Sequence, residues 1–175
     1  MAPYLNPEWL IESDHPDLVS QARDIASHSN NPVTVARRLV QWVYRNLEKK
    51  PVVSVPDALE VFKARVGDCN EHAVLLTALL RASGIPARIC VGLVYSRGQF
   101  FYHAWVECFL NDWVSVDPTL NQIPADATHI KLVEGGIEKQ AQIIALMGKL
   151  EMELVNYEYD SIGRFNKRIQ RVQSR

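Results

Sequence analysis

Three residues of this sequence combine types and positions that could do covalent chemistry: Cys69, His103 and Asp117. A thiol attacks a carbonyl carbon well only as the thiolate, and a free cysteine at neutral pH is mostly protonated. Cys69 stands in the run Gly67-Asp68-Cys69-Asn70-Glu71, ahead of the apolar stretch AVLLTALLRA. Asp68 and Glu71 three residues later form an Asp version of a capping box, which predicts Cys69 at the first position of a helix. A helix N-terminus carries partial positive charge, which favours a thiolate, and unpaired N–H groups, which can meet a developing oxyanion.

His103 lies inside the strand-like run FFYHAWVECF, and Asp117 follows fourteen residues later at the end of WVSVD. A carboxylate beside an imidazole fixes its tautomer and stabilises the imidazolium, the orienting role in a nucleophile–base–acid triad. Parity tests the pairing. A two-residue turn at Asn111-Asp112 would pair positions summing to 223 and put the two side chains on opposite faces. The triad therefore requires a loop with an odd number of residues, or a bulge, between these strands.

The neighbouring candidates each carry a plainer reading. Glu71 is most simply a helix cap. His72 sits one turn after Cys69, where it either lines a cleft as a second base or faces solvent. Trp105 shares a strand face with His103; it either shields the His–Asp pair from water or bridges helix and sheet. Trp42 falls on a helical apolar stripe and reads as core. Cys69, His72, His103 and Asp117 together offer thiolate, imidazole and carboxylate ligands of the kind zinc takes, but their spacing matches no zinc signature. The triad already uses three of the four, so no metal and no cofactor are expected.

These groups need elements to hold them. Asp14-His15-Pro16 and Asn31-Pro32 mark two helix entries, since proline is tolerated in a first turn. Leu18, Ala22, Ile25 and Ala26 recur at helical spacing, as do Val35, Leu39, Val40, Val43 and Leu47, with Pro51 as the second stop. A short helix is predicted over Asp57 to Ala64. The Cys69 helix is apolar around most of its circumference and reads as a buried central helix ending at Gly84-Ile85-Pro86. The period then becomes alternating: strands over Arg88 to Tyr95, Phe100 to Phe109, Trp113 to Asp117 and Ile130 to Val133. A helix over Glu138 to Met147 and a last strand over Leu150 to Tyr159 complete the reading. Helices first and adjacent strands afterwards predict an α+β domain with an antiparallel sheet.

The 175 residues fit one domain, expected over 1–160, with a basic tail over 161–175 (Arg164, Lys167, Arg168, Arg171, Arg175) that reads as a solvated end. A net charge of −1 gives no bulk electrostatic pointer to nucleic acid or an anionic membrane. No apolar run approaches the ~20 residues of a membrane-spanning helix, and the N-terminus lacks the pattern of a secretory signal, so a cytoplasmic location is expected, with a trimmed exported protein as the alternative. The three cysteines have no CxxC spacing, which argues against a disulfide framework or a zinc ribbon; Cys90 and Cys108 read as small buried hydrophobes.

The ordered blocks GDCNEHAVLLTALLRASGIPARICVG, YHAWVEC and WVSVDPT resemble the transglutaminase-like superfamily of papain-type cysteine enzymes. The likeness covers roughly Arg37 to Thr119. It implies a papain-like α+β fold, with Cys69 as nucleophile, His103 as general base and acid, and Asp117 as orienting carboxylate. It also implies a thioacyl-enzyme intermediate on amide-type substrates, with a peptide or protein as the partner. Water as acceptor gives a peptidase or amidase; an amine gives a protein-glutamine cross-linking acyltransferase. Cross-linking members related to the animal enzymes carry large extra domains and calcium sites. This sequence shows no Asp-rich loop and little length for the former, so hydrolysis is favoured. In cross-linking members a tryptophan indole assists the oxyanion, a role not carried to Trp42. A non-catalytic peptide-binding module on the same fold is the alternative from another class.

Overall fold

Proline and its capping neighbours set the two N-terminal helices of the computed structural model, which describes residues 2–52, 55–135, 139, 150–151, 158–159, 165–166 and 173–174. Helix α1 spans Pro16–Ala26 and α2 Pro32–Asn46, each with proline at its first position. The His15 Nδ1 accepts from the Asp17 N–H at 3.2 Å, and Asn31 Oδ1 accepts from Val33 and Thr34 at 3.0 and 3.3 Å. These side chains satisfy amides that the first helical turn leaves unpaired. The predicted stripes face inward: Leu18, Ala22, Val35, Leu39, Val40 and Val43 are all buried.

Helix α2 ends at Asn46, earlier than Pro51 suggested, because the chain turns extended at Leu47 and pairs. Strand β1 (Glu48–Lys49) runs parallel to β2 (Val66–Gly67), a two-residue pairing too short to leave a periodic signal. Helix α3 (Ala58–Ala64) is opened by a capping box between Asp57 and Glu60. Helix α4 (Cys69–Ala82) follows directly after β2. Ala73, Leu75, Leu76, Ala78, Leu79 and Leu80 are fully buried, and α1, α2, α3 and the sheet all pack around this helix. Burying one such leucine stabilises the fold by about 1.5–3 kcal/mol, so α4 anchors the domain.

The sheet has the order β5-β4-β3-β6, antiparallel throughout: β3 Ala87–Ser96, β4 Gln99–Phe109, β5 Trp113–Val116 and β6 His129–Glu134. Arg97 and Gly98, both at positive φ, make the two-residue β3–β4 turn that right-handed strand twist favours. Between β4 and β5 the loop has three residues, Leu110-Asn111-Asp112, with Asn111 at φ 76°. The ladder therefore pairs Phe109 with Trp113 and Val106 with Val116, an even register sum, as the triad requires.

This register sorts the two faces. Tyr102, Ala104, Val106 and Cys108 join Ile89, Val91, Val114 and Val116 in the core shared with α4. His103, Trp105 and Glu107 point to the other face, where Arg88 and Lys131 pair with the Glu107 carboxylate. Among the described residues the fold is thus an α+β one, with four α-helices packed on a four-stranded antiparallel sheet. The predicted helix over Glu138 to Met147 and the basic tail residues lie outside the described residues, save Lys139. Of the last predicted strand, only Leu150–Glu151 and Glu158–Tyr159 are described, each in a two-residue antiparallel pair.

Candidate active site

Cys69 occupies the first position of α4, behind a complete capping box. Asp68 accepts from the Asn70 N–H at 2.9 Å, and Glu71 reaches back to the Asp68 N–H at 2.8 Å. Gly67 makes this possible: a Cβ there would fall 2.3 Å from the Glu71 Cβ, so only glycine lets Glu71 fold back. Glu71 is buried, and burial beside Asp68 pushes its carboxyl up to about 7.

The half-buried Cys69 thiol lies against the Ala104 backbone, the residue after His103 on β4. Strand β5 stops at Val116, so beyond its end the outer edge of β4 has no strand beside it. The thiol thus meets β4 where the strand carries His103, although His103 itself points to the face away from the body of α4. Burial pushes the thiol up to about 12, the Ala104 backbone hydrogen bond pulls the other way, and the charges of Asp68, Asp117 and Glu71 add to the rise. This opposes the expectation that the helix N-terminus alone favours a thiolate. The resting group is the thiol, and its proton must leave to a base.

His103 and Asp117 are brought together. The imidazole Nε2 lies 2.7 Å from Asp117 Oδ2, and both side chains are buried. Asp117 stands just past β5, in an isolated bridge with Gln122, and not inside the strand as the alternation suggested. That placement lets Oδ1 accept from the N–H groups of Thr119 and Leu120, at 2.7 and 3.0 Å. Burial opposes the charge on Asp117, but the His103 and His129 hydrogen bonds overcome it and hold the carboxyl well below its usual range. An ionised carboxylate only accepts, so Nε2 of His103 carries a hydrogen, and in the neutral ring Nδ1 has none.

His129, at the start of β6, is the residue sequence reasoning missed. Its Nε2 lies 3.0 Å from the same Asp117 Oδ2, and its Nδ1 lies 3.2 Å from the Asp126 carbonyl oxygen. Burial disfavours its charge, yet Asp117 and Asp126 raise its pKa. A histidine heading a strand carries no spacing signal; only the β3–β6 pairing places it. That pairing shifts register between Val91 and Gly92. A Cβ at Gly92 would fall 2.0 Å from the Ile130 carbonyl oxygen, so glycine is what lets β6 approach.

Trp105 is fully buried on the His103 face. Its ring stacks at 6.2 Å on His103 and meets His129 edge-on at 5.1 Å. It covers the two histidines and does not bridge to the helix, because its side chain points away from α4. His72 neither lines a cleft nor faces solvent: it is fully buried, with Nδ1 2.6 Å from the Asp68 carbonyl oxygen. The inward face of α4 at that position is core, which the uniformly apolar sequence around it conceals. Trp42 is half-buried, stacked on Phe62 beneath the Arg65 guanidinium. Cys90 and Cys108 are buried, as expected of small hydrophobes.

The four-residue metal set of Cys69, His72, His103 and Asp117 is not assembled. Among the described residues the ligand-type atoms that converge are those of His103, Asp117 and His129, within 4.8 Å of one another. Both imidazole Nε2 atoms are committed to one carboxylate oxygen at hydrogen-bond distance, which describes a hydrogen-bonded network. Also among the described residues, no helix is long and apolar enough to cross a membrane.

Known proteins share this arrangement of elements. A curated protein-glutamine gamma-glutamyltransferase of Pseudomonas aeruginosa is 34% identical over 106 residues, covering 51% of this chain and 15% of that protein. The structure of a candidate cysteine protease from Cytophaga hutchinsonii superposes with TM-score 0.65 at 26% identity, over 77% of this chain and 46% of that one. The periplasmic domain of TgpA from Pseudomonas aeruginosa gives TM-score 0.50 at 27% identity, over 61% of this chain and 43% of that one. The chain therefore spans under half of the length of each of these relatives. The family model of the transglutaminase-like superfamily matches residues 19–118, more than half of the chain, and the chain belongs to that superfamily.

Proposed function

We propose that this domain is a thiol-dependent acyl-transfer enzyme acting on amide bonds of a peptide or protein, with Cys69, His103 and Asp117 as its catalytic groups. The observation that carries the reading is the 2.7 Å His103–Asp117 hydrogen bond, set one residue along β4 from the Ala104 backbone that touches the Cys69 thiol. His103 takes the thiol proton on Nδ1 as sulfur bonds to the substrate carbonyl carbon. The carbonyl oxygen becomes an oxyanion, and the Cys69 N–H at the head of α4 supports it. Collapse breaks the C–N bond; the leaving amine takes the proton from His103 and a thioester remains. Water then gives a proton to His103, attacks the thioester, and releases the acid with the thiol restored.

Hydrolysis is the favoured outcome, supported by the cysteine-protease description of the Cytophaga relative. Amine transfer is the second reading, supported by the name of the Pseudomonas relative. Incubation with glutamine-containing peptides, with and without a primary amine, separates them by mass spectrometry. A thioester mass on Cys69, absent in Cys69→Ser, supports acyl transfer. Free acid despite excess amine supports hydrolysis, whereas an amide of the added amine supports the transferase. An activated acyl ester that never labels Cys69 would remove both.

A further inference from the structure

Asp117 Oδ2 is shared. His103 reaches it through Nε2 at 2.7 Å and His129 through Nε2 at 3.0 Å, with the two rings 5.7 Å apart. His129 is also held at its other nitrogen: Nδ1 faces the Asp126 carbonyl oxygen at 3.2 Å and Asp126 Oδ1 at 3.4 Å. A neutral imidazole has one donor and one acceptor nitrogen, whereas both nitrogens of His129 face acceptors. Only the imidazolium satisfies both.

The surroundings agree. The titratable groups facing His129 are Asp117 from the end of β5, His103 from β4 and Asp126 from the segment before β6. Lys131, two residues along β6, is paired with Glu107 and Glu134 at 2.9 and 3.0 Å. Trp105 closes the remaining side edge-on, and the register shift at Gly92 brings β6 close enough to place the ring. The His129 side chain is only 3% exposed, so its charge is balanced by protein groups and not by water.

We propose that His129 is a positioning residue of this site: as an imidazolium it fixes the Asp117 carboxylate beside His103 and offsets part of its negative charge. The inference rests on the proposed role of His103 as base. Its consequence is electrostatic. A cation already on Asp117 opposes the second positive charge that His103 would take on with the thiol proton. Removing the His129 charge while keeping a donor should then move the acid limb of thiol reactivity upward.

The test is the rate of Cys69 alkylation by iodoacetamide against pH, in the parent and in His129→Gln, Asp126→Asn and His103→Ala. His129→Gln keeps an N–H for Asp117 without charge. Its acid limb should shift up by about one pH unit, roughly a tenfold slower rate on that limb. Asp126→Asn removes a carboxylate that faces His129 Nδ1 and makes no direct contact with the Asp117 side chain, and it should shift the limb the same way by less. Loss of packing alone would lower the rate evenly without moving the limb. Profiles of folded His129→Gln superimposing on the parent overturn the inference; if that variant does not fold, a superimposing Asp126→Asn profile overturns it. Should His103→Ala leave the parent profile unchanged, the base itself is misassigned and the inference falls with it. A collapsed His103→Ala rate beside an unmoved His129→Gln limb sinks the inference alone.

Discussion

His103 Nε2 donates to Asp117 Oδ2 at 2.7 Å across the β4–β5 hairpin, which leaves Nδ1 as the nitrogen able to accept a proton. The bond exists because the hairpin loop has three residues. One residue fewer would turn Asp117 to the helix side of the sheet, among Val106 and Val116. The geometry of the site is in this sense a register property of the sheet, and several consequences can be measured.

Asp117→Asn keeps the shape and removes the charge. With no carboxylate to accept the Nε2 hydrogen, His103 loses its fixed tautomer, and Cys69 acylation should fall by about 10²–10³-fold. Stability should change in a defined window. Asp117 is held below its unfolded value, so its contribution is present above about pH 3.9 and lost as pH falls through the folded value. His129 is held above its own, so its contribution is full below about pH 6.5 and lost as pH rises through the folded value. The pair therefore acts fully between these limits. There Asp117→Asn should cost about 3 kcal/mol in urea unfolding, with a smaller difference on either side. A pH-independent difference would contradict the ion pair.

Gly92→Ala puts a methyl 2.0 Å from the Ile130 carbonyl oxygen and 3.0 Å from the Trp105 ring. Backbone cannot yield as a side-chain tip does, so β6 must move. Thermal unfolding should show a loss of at least about 2 kcal/mol. Thiol reactivity should fall together with that loss, because His129 rides on β6. A variant as stable and as reactive as the parent would mean that β6 tolerates displacement.

The Glu71 carboxyl is pushed up to about 7, so the folded state binds its proton more tightly than the unfolded chain does. Its ionisation therefore erodes stability as pH rises from about 4.3 through 7. Glu71→Gln keeps an oxygen for the Asp68 N–H and drops the charge. Above pH 7 the variant should be more stable by on the order of 1 kcal/mol, and below pH 4 the two should converge. A less stable variant at pH 8 would show that the carboxylate's attraction to the helix N-terminus dominates.

Much of this was legible in the residues themselves. Helix α4 announces its start by Asp68 and Glu71 and its burial by its apolar run; the triad's parity required an odd β4–β5 loop or a bulge, and the loop has three residues. What escaped depended on contacts between distant segments. His129 reaches Asp117 only after β6 pairs with β3 through a bulge at Gly92, and a register shift leaves no periodic trace. The burial of His72 escaped because a polar residue in an apolar helix has no fixed azimuth until the helix is packed. The raised Cys69 thiol escaped because helix position speaks for the N-terminal charge and says nothing of three nearby carboxylates or of burial.

The most direct test of the account compares Cys69 alkylation by iodoacetamide between parent and His103→Ala across pH 5–10. With a resting thiol near 12, reactivity below the free-thiol value of ~8.5 requires a base. The parent rate is predicted to persist well below that value and to collapse without His103. A parent rate that appears only above it, unchanged by the substitution, would contradict the proposed thiol–imidazole pair and leave a peptide-binding module on this fold as the better reading.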